Sequence, residues 1–177
     1  MSENMSENMS ENMSENMSEN ISENILKNYI GKVLAINISL KKGTPKETIP
    51  EGNFIEDFGL EGDAHAGKGH RQVSLLANES VNKMREMGVE GLCTGRFAEN
   101  ITTEGIELFT LKVGTQIKIG ETIQELTQIG KECHAGCAIQ QLVGECVMPK
   151  EGIFTKVIKG GKIKAGDKIE VLVQNKK

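Results

Sequence analysis

Three of the four cysteines, Cys133, Cys137 and Cys146, fall within fourteen residues, and the densest chemistry in the chain is the stretch Gly130-Lys-Glu-Cys-His-Ala-Gly-Cys-Ala-Ile139. A thiol acts as nucleophile or soft-metal ligand only as thiolate, a form favoured at a helix N-terminus beside cationic groups. Cys133, with Lys131 and His134 as sequence neighbours, is better placed for this than Cys137, which falls inside the short helix expected over His134 to Val143. Lys131 is also a candidate to hold an anionic ligand. Alternatively, Cys133, His134 and Cys137 are three ligands of a zinc site with Cys146 or His65 as the fourth, although the spacing is not the paired C-x-x-C of a zinc ribbon. Cys93 and Cys146 taken singly read as small apolar packing residues.

Two of the three histidines belong to a second constellation, Gly62-Asp-Ala-His65 followed by His70-Arg-Gln72. Imidazoles beside an Arg in a Gly-rich loop suit recognition of an anion such as phosphate; a solvated surface loop is the plainer alternative. The third is Gly95-Arg-Phe-Ala-Glu-Asn-Ile-Thr-Thr103, where Glu99 and Asn100 open a strand and Thr102 and Thr103 follow. On residue types alone, these side chains hold loop backbone groups.

The elements that must position these groups are mostly short strands punctuated by glycine. Gly31 to Ser39 alternates as a strand, Lys41 to Pro50 is a polar loop, and Gln72-Val-Ser-Leu-Leu76 is a second strand. Val81, Met84 and Met87 recur at helical spacing and Gly88 closes that helix. Leu111 to Ile119 pairs with Thr122 to Leu126 through a Gly120-Glu121 hairpin turn, and Gly161 to Leu172 repeats the texture around Gly166. Many short strands and two small helices, with no strand-helix-strand rhythm, argue for a mainly β fold, a closed or nearly closed β-barrel rather than a parallel α/β sheet. Gly67-Lys-Gly69 lacks the context of a phosphate loop.

Residues 1–24 stand apart as five copies of MSEN and one of ISEN, expected to be a disordered or weakly helical tail. Six of the 25 acidic residues and none of the 21 basic ones lie there, which turns a net charge of -4 for 177 residues into +2 for the remainder. A near-neutral body with one Tyr, five Phe and no Trp argues against nucleic-acid binding. No apolar run is long enough to span a bilayer, and the acidic N-terminus is unlike a secretory signal, so a cytoplasmic protein is expected. In that compartment, clustered cysteines bind metal or react rather than form disulfides.

Taken together, Glu61-Gly-Asp-Ala-His-Ala66, Arg71-Gln-Val-Ser-Leu-Leu76, Gly95 to Thr103, Gly130 to Cys137 and Met148-Pro-Lys-Glu-Gly-Ile-Phe154 resemble the MOSC domain, the family named for the C-terminal domain of molybdenum cofactor sulfurase, in its small stand-alone bacterial form. The resemblance covers Ile30 to Val173, making 25–177 one MOSC-like β-barrel domain behind the tail. It implies handling of the molybdenum cofactor (molybdopterin), a pterin with a phosphate and a dithiolene-bound metal. In the sulfurases and the mitochondrial amidoxime reducing component, an invariant Cys of this domain carries sulfur or ligates molybdenum. That role falls on Cys133, with Cys137 as the alternative. Lys131, His65, Arg71 and Asn100 become candidates to hold the pterin phosphate or ring edges, followed by Gln72, Glu99, Thr102 and His134. With no pyridoxal phosphate domain in this chain, sulfur would come from a partner such as a cysteine desulfurase and pass to the cofactor or a molybdoenzyme. The expectation is a sulfur transferase or a molybdenum-dependent oxidoreductase component; a non-catalytic cofactor carrier and a structural zinc module are the alternatives.

Overall fold

The computed structural model describes residues 30–131 and 146–172. The alternation beginning at Ile30 becomes strand β1 (Ile30–Ile38), long enough to change partners along its length. Its first residues pair antiparallel with β11 (Lys168–Leu172), its middle with β6 (Ile101–Glu104) and its last three with β2 (Glu47–Ile49). A register shift between Val33 and Ala35 marks the bend between these partners. The ring runs β1, β6, β5 (Val73–Ala77), β9 (Ile153–Lys159), β8 (Thr122–Ile129), β7 (Gln116–Ile119), β11 and back to β1. This is a closed seven-stranded barrel with β2 attached at its side.

Closure removes the open sheet edge and leaves a lumen that side chains fill. Ile36, Val73, Leu75, Ile101, Ile117 and Leu126 are all 0% exposed there. Each such side chain contributes about 1.5–3 kcal/mol relative to exposure. A second sheet, β10 (Gly161–Lys164), β3 (Glu51–Ile55) and β4 (Gly59–Leu60), adds Ile163, Phe54 and Leu60 to the same core.

The outer face of the wall is covered as well. All five residues of β5 are buried: Val73 and Leu75 join the lumen cluster, whereas Leu76 joins a second cluster outside it. That cluster contains Val81 and Met84 of α1 (Asn78–Glu86), Phe97, Phe154 and Met148 of the short α2 (Met148–Glu151). Pro149 sits in the first turn of α2, where its missing N–H costs no hydrogen bond.

Several elements depart from expectation. β5 and β6 pair in parallel, with α1 between them in the chain, so one strand-helix-strand unit is built into the barrel. The loop at 41–50 contains β2, and the strand expected from Leu111 starts only at Gln116, because a turn closed by Thr115 N–H to Lys112 O occupies the preceding residues. The Gly120-Glu121 hairpin forms, with Ile119 opposite Thr122. The tail at 1–24 and the helix expected over 134–143 lie outside the described residues.

Candidate functional site

Ser74 and Phe154 are register partners on β5 and β9, and both line a cavity of about 590 Å3, a volume typical of small-molecule sites. Leu76, two residues from Ser74 and therefore on the same face of β5, packs outside the lumen, so the cavity lies against the outer wall of the barrel. Its basic residues come from distant segments: Lys46 next to β2, His65 and Arg71 from the loop before β5, Arg96 from the loop before β6, and Lys131 just beyond β8. Among the described residues, no Asp or Glu lines it. Phe97, Met148 and Phe154 supply apolar surface, and the Arg71 guanidinium sits 5.7 Å from the centroid of the Phe154 ring. A cation over an aromatic face is attracted by the ring quadrupole, which steadies Arg71 although it is exposed.

Asp63 organises the wall from behind. Its side chain is 1% exposed and pairs with Lys46 Nζ, itself 2% exposed. Oδ2 also accepts hydrogen bonds from the Ser39 N–H (3.0 Å) and Asn100 Nδ2 (3.1 Å), while Oδ1 accepts the His65 N–H (2.9 Å). Burial alone would raise the pKa of Asp63, but the bonds from Lys46, Ser39 and His65, together with the Lys46 charge, hold it below the usual carboxylate range. A buried carboxylate that keeps its charge needs this set of donors.

Asn100 and Gln72 stand at the cavity with their amides committed to the fold. Asn100 Oδ1 accepts from Ser74 N–H (3.2 Å) and Ser74 Oγ (3.0 Å), and its Nδ2 donates to Asn37 O (3.3 Å) as well as to Asp63. Gln72 donates from Nε2 to Asp57 Oδ1 and Gly69 O, both at 3.0 Å, and accepts the Val157 N–H at 2.9 Å. Glu99 and Thr102 do not line the cavity; they hold the loop that carries Arg96. Glu99 accepts the backbone N–H groups of Gly95 (2.6 Å) and Phe97 (3.1 Å) and the Thr102 hydroxyl (2.9 Å). Burial pushes the Glu99 pKa up against the pull of these donors. The loop is tight: Gly95 has φ 79 and Ala98 φ 63. A side chain on Gly95 would meet Lys46 O at 3.0 Å, and the left-handed region is unfavourable for an L residue such as Ala98.

The structure thus brings His65, Arg71, Gln72, Asn100 and Lys131 to one cavity, with Glu99 and Thr102 behind it. His70 lies elsewhere, its ring bonded to Gln128 Oε1 at 3.0 Å. Cys93 is exposed, which corrects its reading as a buried packing residue. Cys146 is half-buried, packs against the outer apolar cluster and lines the cavity. Cys133, His134 and Cys137 lie outside the described residues. Among the described residues, no group of three or more His, Cys, Asp or Glu is arranged to hold a metal. Lys46 escaped the sequence reading because a lysine in a polar loop carries no signal of burial. Arg96 lies in the Gly95–Thr103 motif, where its residue type alone does not distinguish it from a solvated surface Arg.

The protein is a β-barrel with a cation-lined cavity on its outer face. A model of the MOSC domain matches residues 62–170, more than half of the sequence, and the chain belongs to this molybdenum-cofactor-related family. Its fold is shared with solved structures at low identity. The YuaD protein from Bacillus subtilis has a TM-score of 0.63 at 20% identity over 80% of this chain and 95% of that one. YiiM from Escherichia coli has 0.60 at 19% identity, over 84% and 72%. YiiM from Geobacillus stearothermophilus has 0.61 at 17%, over 81% and 76%. No curated protein matches the chain. No helix among the described residues is long and apolar enough to cross a membrane.

Proposed function

We propose that the chain binds the molybdenum cofactor in the outer cavity and carries sulfur to it through Cys133, with Cys137 as the alternative thiol. The observation that carries the reading is the lining: four Lys or Arg side chains and a His surround an apolar floor, with no carboxylate among the described lining residues. That donor set fits a ligand with a phosphate at one end and a flat ring system at the other. Arg71, Arg96 and Lys131 hold the phosphate; Phe97, Met148 and Phe154 lie against the rings. Asp63 neutralises Lys46, so the buried cation serves the fold and the remaining cations at the rim serve the ligand. When bound, the cofactor supplies a soft metal centre able to take a thiolate or a transferred sulfur. Cys133 follows Lys131 by two residues, and a neighbouring cation favours its thiolate.

The test is anaerobic purification of the full chain and of Cys133→Ser, followed by metal analysis for molybdenum and zinc and fluorescence of the released pterin. Molybdenum and pterin in the wild type, with molybdenum reduced in the variant, support the proposal. Pterin retained equally by both, with sulfur transfer unchanged, points instead to a carrier that uses no thiol. One zinc per chain without pterin overturns cofactor binding in favour of a structural metal.

A further inference from the structure

The Lys and Arg side chains that line the cavity are donors only. Lys46, Arg71, Arg96 and Lys131 have no acceptor atoms. The amide oxygens of Gln72 and Asn100 already accept bonds from Val157 N–H and from Ser74. The Thr44 hydroxyl donates to Lys41 O, and the Ser74 hydroxyl accepts the Asn100 N–H while its one proton lies within reach of both Ala98 O and Asn100 Oδ1. Beyond those hydroxyls, which keep acceptor lone pairs, the described lining offers the imidazole of His65, whose side chain is 47% exposed.

Which ring nitrogen it offers is decided by Asp63. Nδ1 of His65 lies 3.4 Å from Asp63 Oδ1, and that carboxylate is held ionised by Lys46, Ser39 N–H and Asn100. A bare lone pair on Nδ1 would face the negative charge of Asp63, whereas a proton on Nδ1 is attracted to it. The His65 N–H to Oδ1 bond at 2.9 Å fixes the backbone beneath the ring, so the approach is built into the turn. Nε2 takes part in no hydrogen bond among the described residues.

We infer that the Asp63–His65 pair makes Nε2 of His65 a hydrogen-bond acceptor beside the cationic donors of the cavity, which therefore favours an anionic ligand whose ring edge carries an N–H group. The inference deepens the cofactor reading and rests on it for the pterin as the ring in question. The geometry of the pair is independent of that reading. His65 is then a specificity residue and Asp63 the residue that positions it. An anion without the N–H edge is still held by the arginines but loses the contact to Nε2.

Two measurements on the full chain test this. The first is nitrogen NMR of the protein labelled in its histidines, at about pH 8.5, where an ordinary imidazole is neutral. The expected state of His65 is a protonated Nδ1 and a bare Nε2, the reverse of the tautomer favoured by free histidine; a protonated Nε2 overturns the inference. The second compares binding of a pterin carboxylate and a naphthalene carboxylate, which share charge and bicyclic shape but differ in N–H groups. His65→Leu is expected to weaken the pterin probe about tenfold, the loss of one hydrogen bond of about 1.4 kcal/mol, and to leave the naphthalene probe within about twofold. Equal weakening of both, or of neither, overturns the assignment of specificity. Failure of the wild type to bind the pterin probe overturns the pterin reading instead, and the tautomer then decides the inference alone.

Discussion

Lys46→Met separates a buried ion pair from a surface one. Methionine keeps much of the length and apolar stem of lysine and removes the charge. The partners are 2% and 1% exposed, so Asp63 is left ionised in a corner that solvent does not reach. Removing one member of a buried pair costs about 3–5 kcal/mol. Asp63 retains the donors of Ser39, His65 and Asn100, which places the expected cost at the low end, about 3 kcal/mol or roughly a hundredfold in the folding equilibrium. With a urea slope of about 2 kcal/mol per M, the midpoint should fall by about 1.5 M without a change in slope. Lys162→Met removes the 2.9 Å pair with Glu51, whose partners are 62% and 53% exposed, and should give no resolvable shift. The pH dependence supplies a second check. The pKa of Asp63 is lowered in the fold, so its stabilisation is fully present above the unfolded carboxylate value of about 3.9 and is lost as pH falls through the lower folded value. The gap between wild type and Lys46→Met should hold from about pH 8 to about pH 5 and close below about pH 4. A loss under about 1 kcal/mol, or a gap unchanged in acid, would show that the pair does not act as a buried anchor.

Glu99→Gln turns an amide NH2 toward one of the N–H or O–H donors of Gly95, Phe97 and Thr102 and should cost about 1–3 kcal/mol in urea unfolding. Because burial raises the pKa of Glu99, its contribution is greatest below the unfolded value of about 4.3 and declines as pH rises through the folded one; the variant should lose that decline. Gly130→Ala places a Cβ against Pro149 O at φ 73, so α2 or the chain entering Lys131 must move, and thermal unfolding should begin at least about 4 °C lower; an unchanged melting temperature would mean that this approach is not tight. Arg71→Ala and Arg96→Ala should each weaken inorganic pyrophosphate about tenfold and flatten the salt dependence of binding measured by calorimetry; unaltered affinity in both would remove the rim cations from the anion site.

Local periodicity reveals the strands it can reveal. β1, β5, α1 and the β7–β8 hairpin follow from alternation, helical spacing and a Gly turn, because each of these signals is contained in a few neighbouring residues. β2, β3, β4 and β9 were not legible. β9 begins immediately after α2 and mixes Lys with apolar residues, and β4 has only two residues, so neither shows a period. The parallel pairing of β5 with β6 depends on contacts between residues 26 apart, such as Leu75 with Ile101, which local patterns do not encode. At the site the same division holds. His65, Arg71 and Lys131 could be picked out by residue type, whereas the buried state of Lys46 depends on Asp63, seventeen residues later. Gln72 and Asn100 show the converse: polar residues beside a cavity whose amides are already taken by the fold.

The parallel pair is also the reason the site exists where it does. In a parallel arrangement, the loops before β5 and β6 arrive at the same end of their strands, so Arg71 and Gln72 come beside Arg96 to Asn100. The bond from Asn100 N–H to Ser74 O at 2.8 Å joins the two. β1 runs antiparallel to β6 and brings Asn37 and Ser39 to the same place, while β9 runs antiparallel to β5 and sets Phe154 opposite Ser74. Asp63 ties these segments together through Ser39, Asn100 and Lys46, and His65 rides on its other oxygen. An antiparallel β5–β6 pair would carry the Arg96 loop to the opposite end of β5 and leave the cavity without half of its rim. The barrel lumen, filled by Ile36, Leu75 and Ile101, could not substitute for it. A closed barrel with a packed interior leaves its outer face for the cavity, and here the strand-helix-strand unit of β5, α1 and β6 allows the loops to meet there.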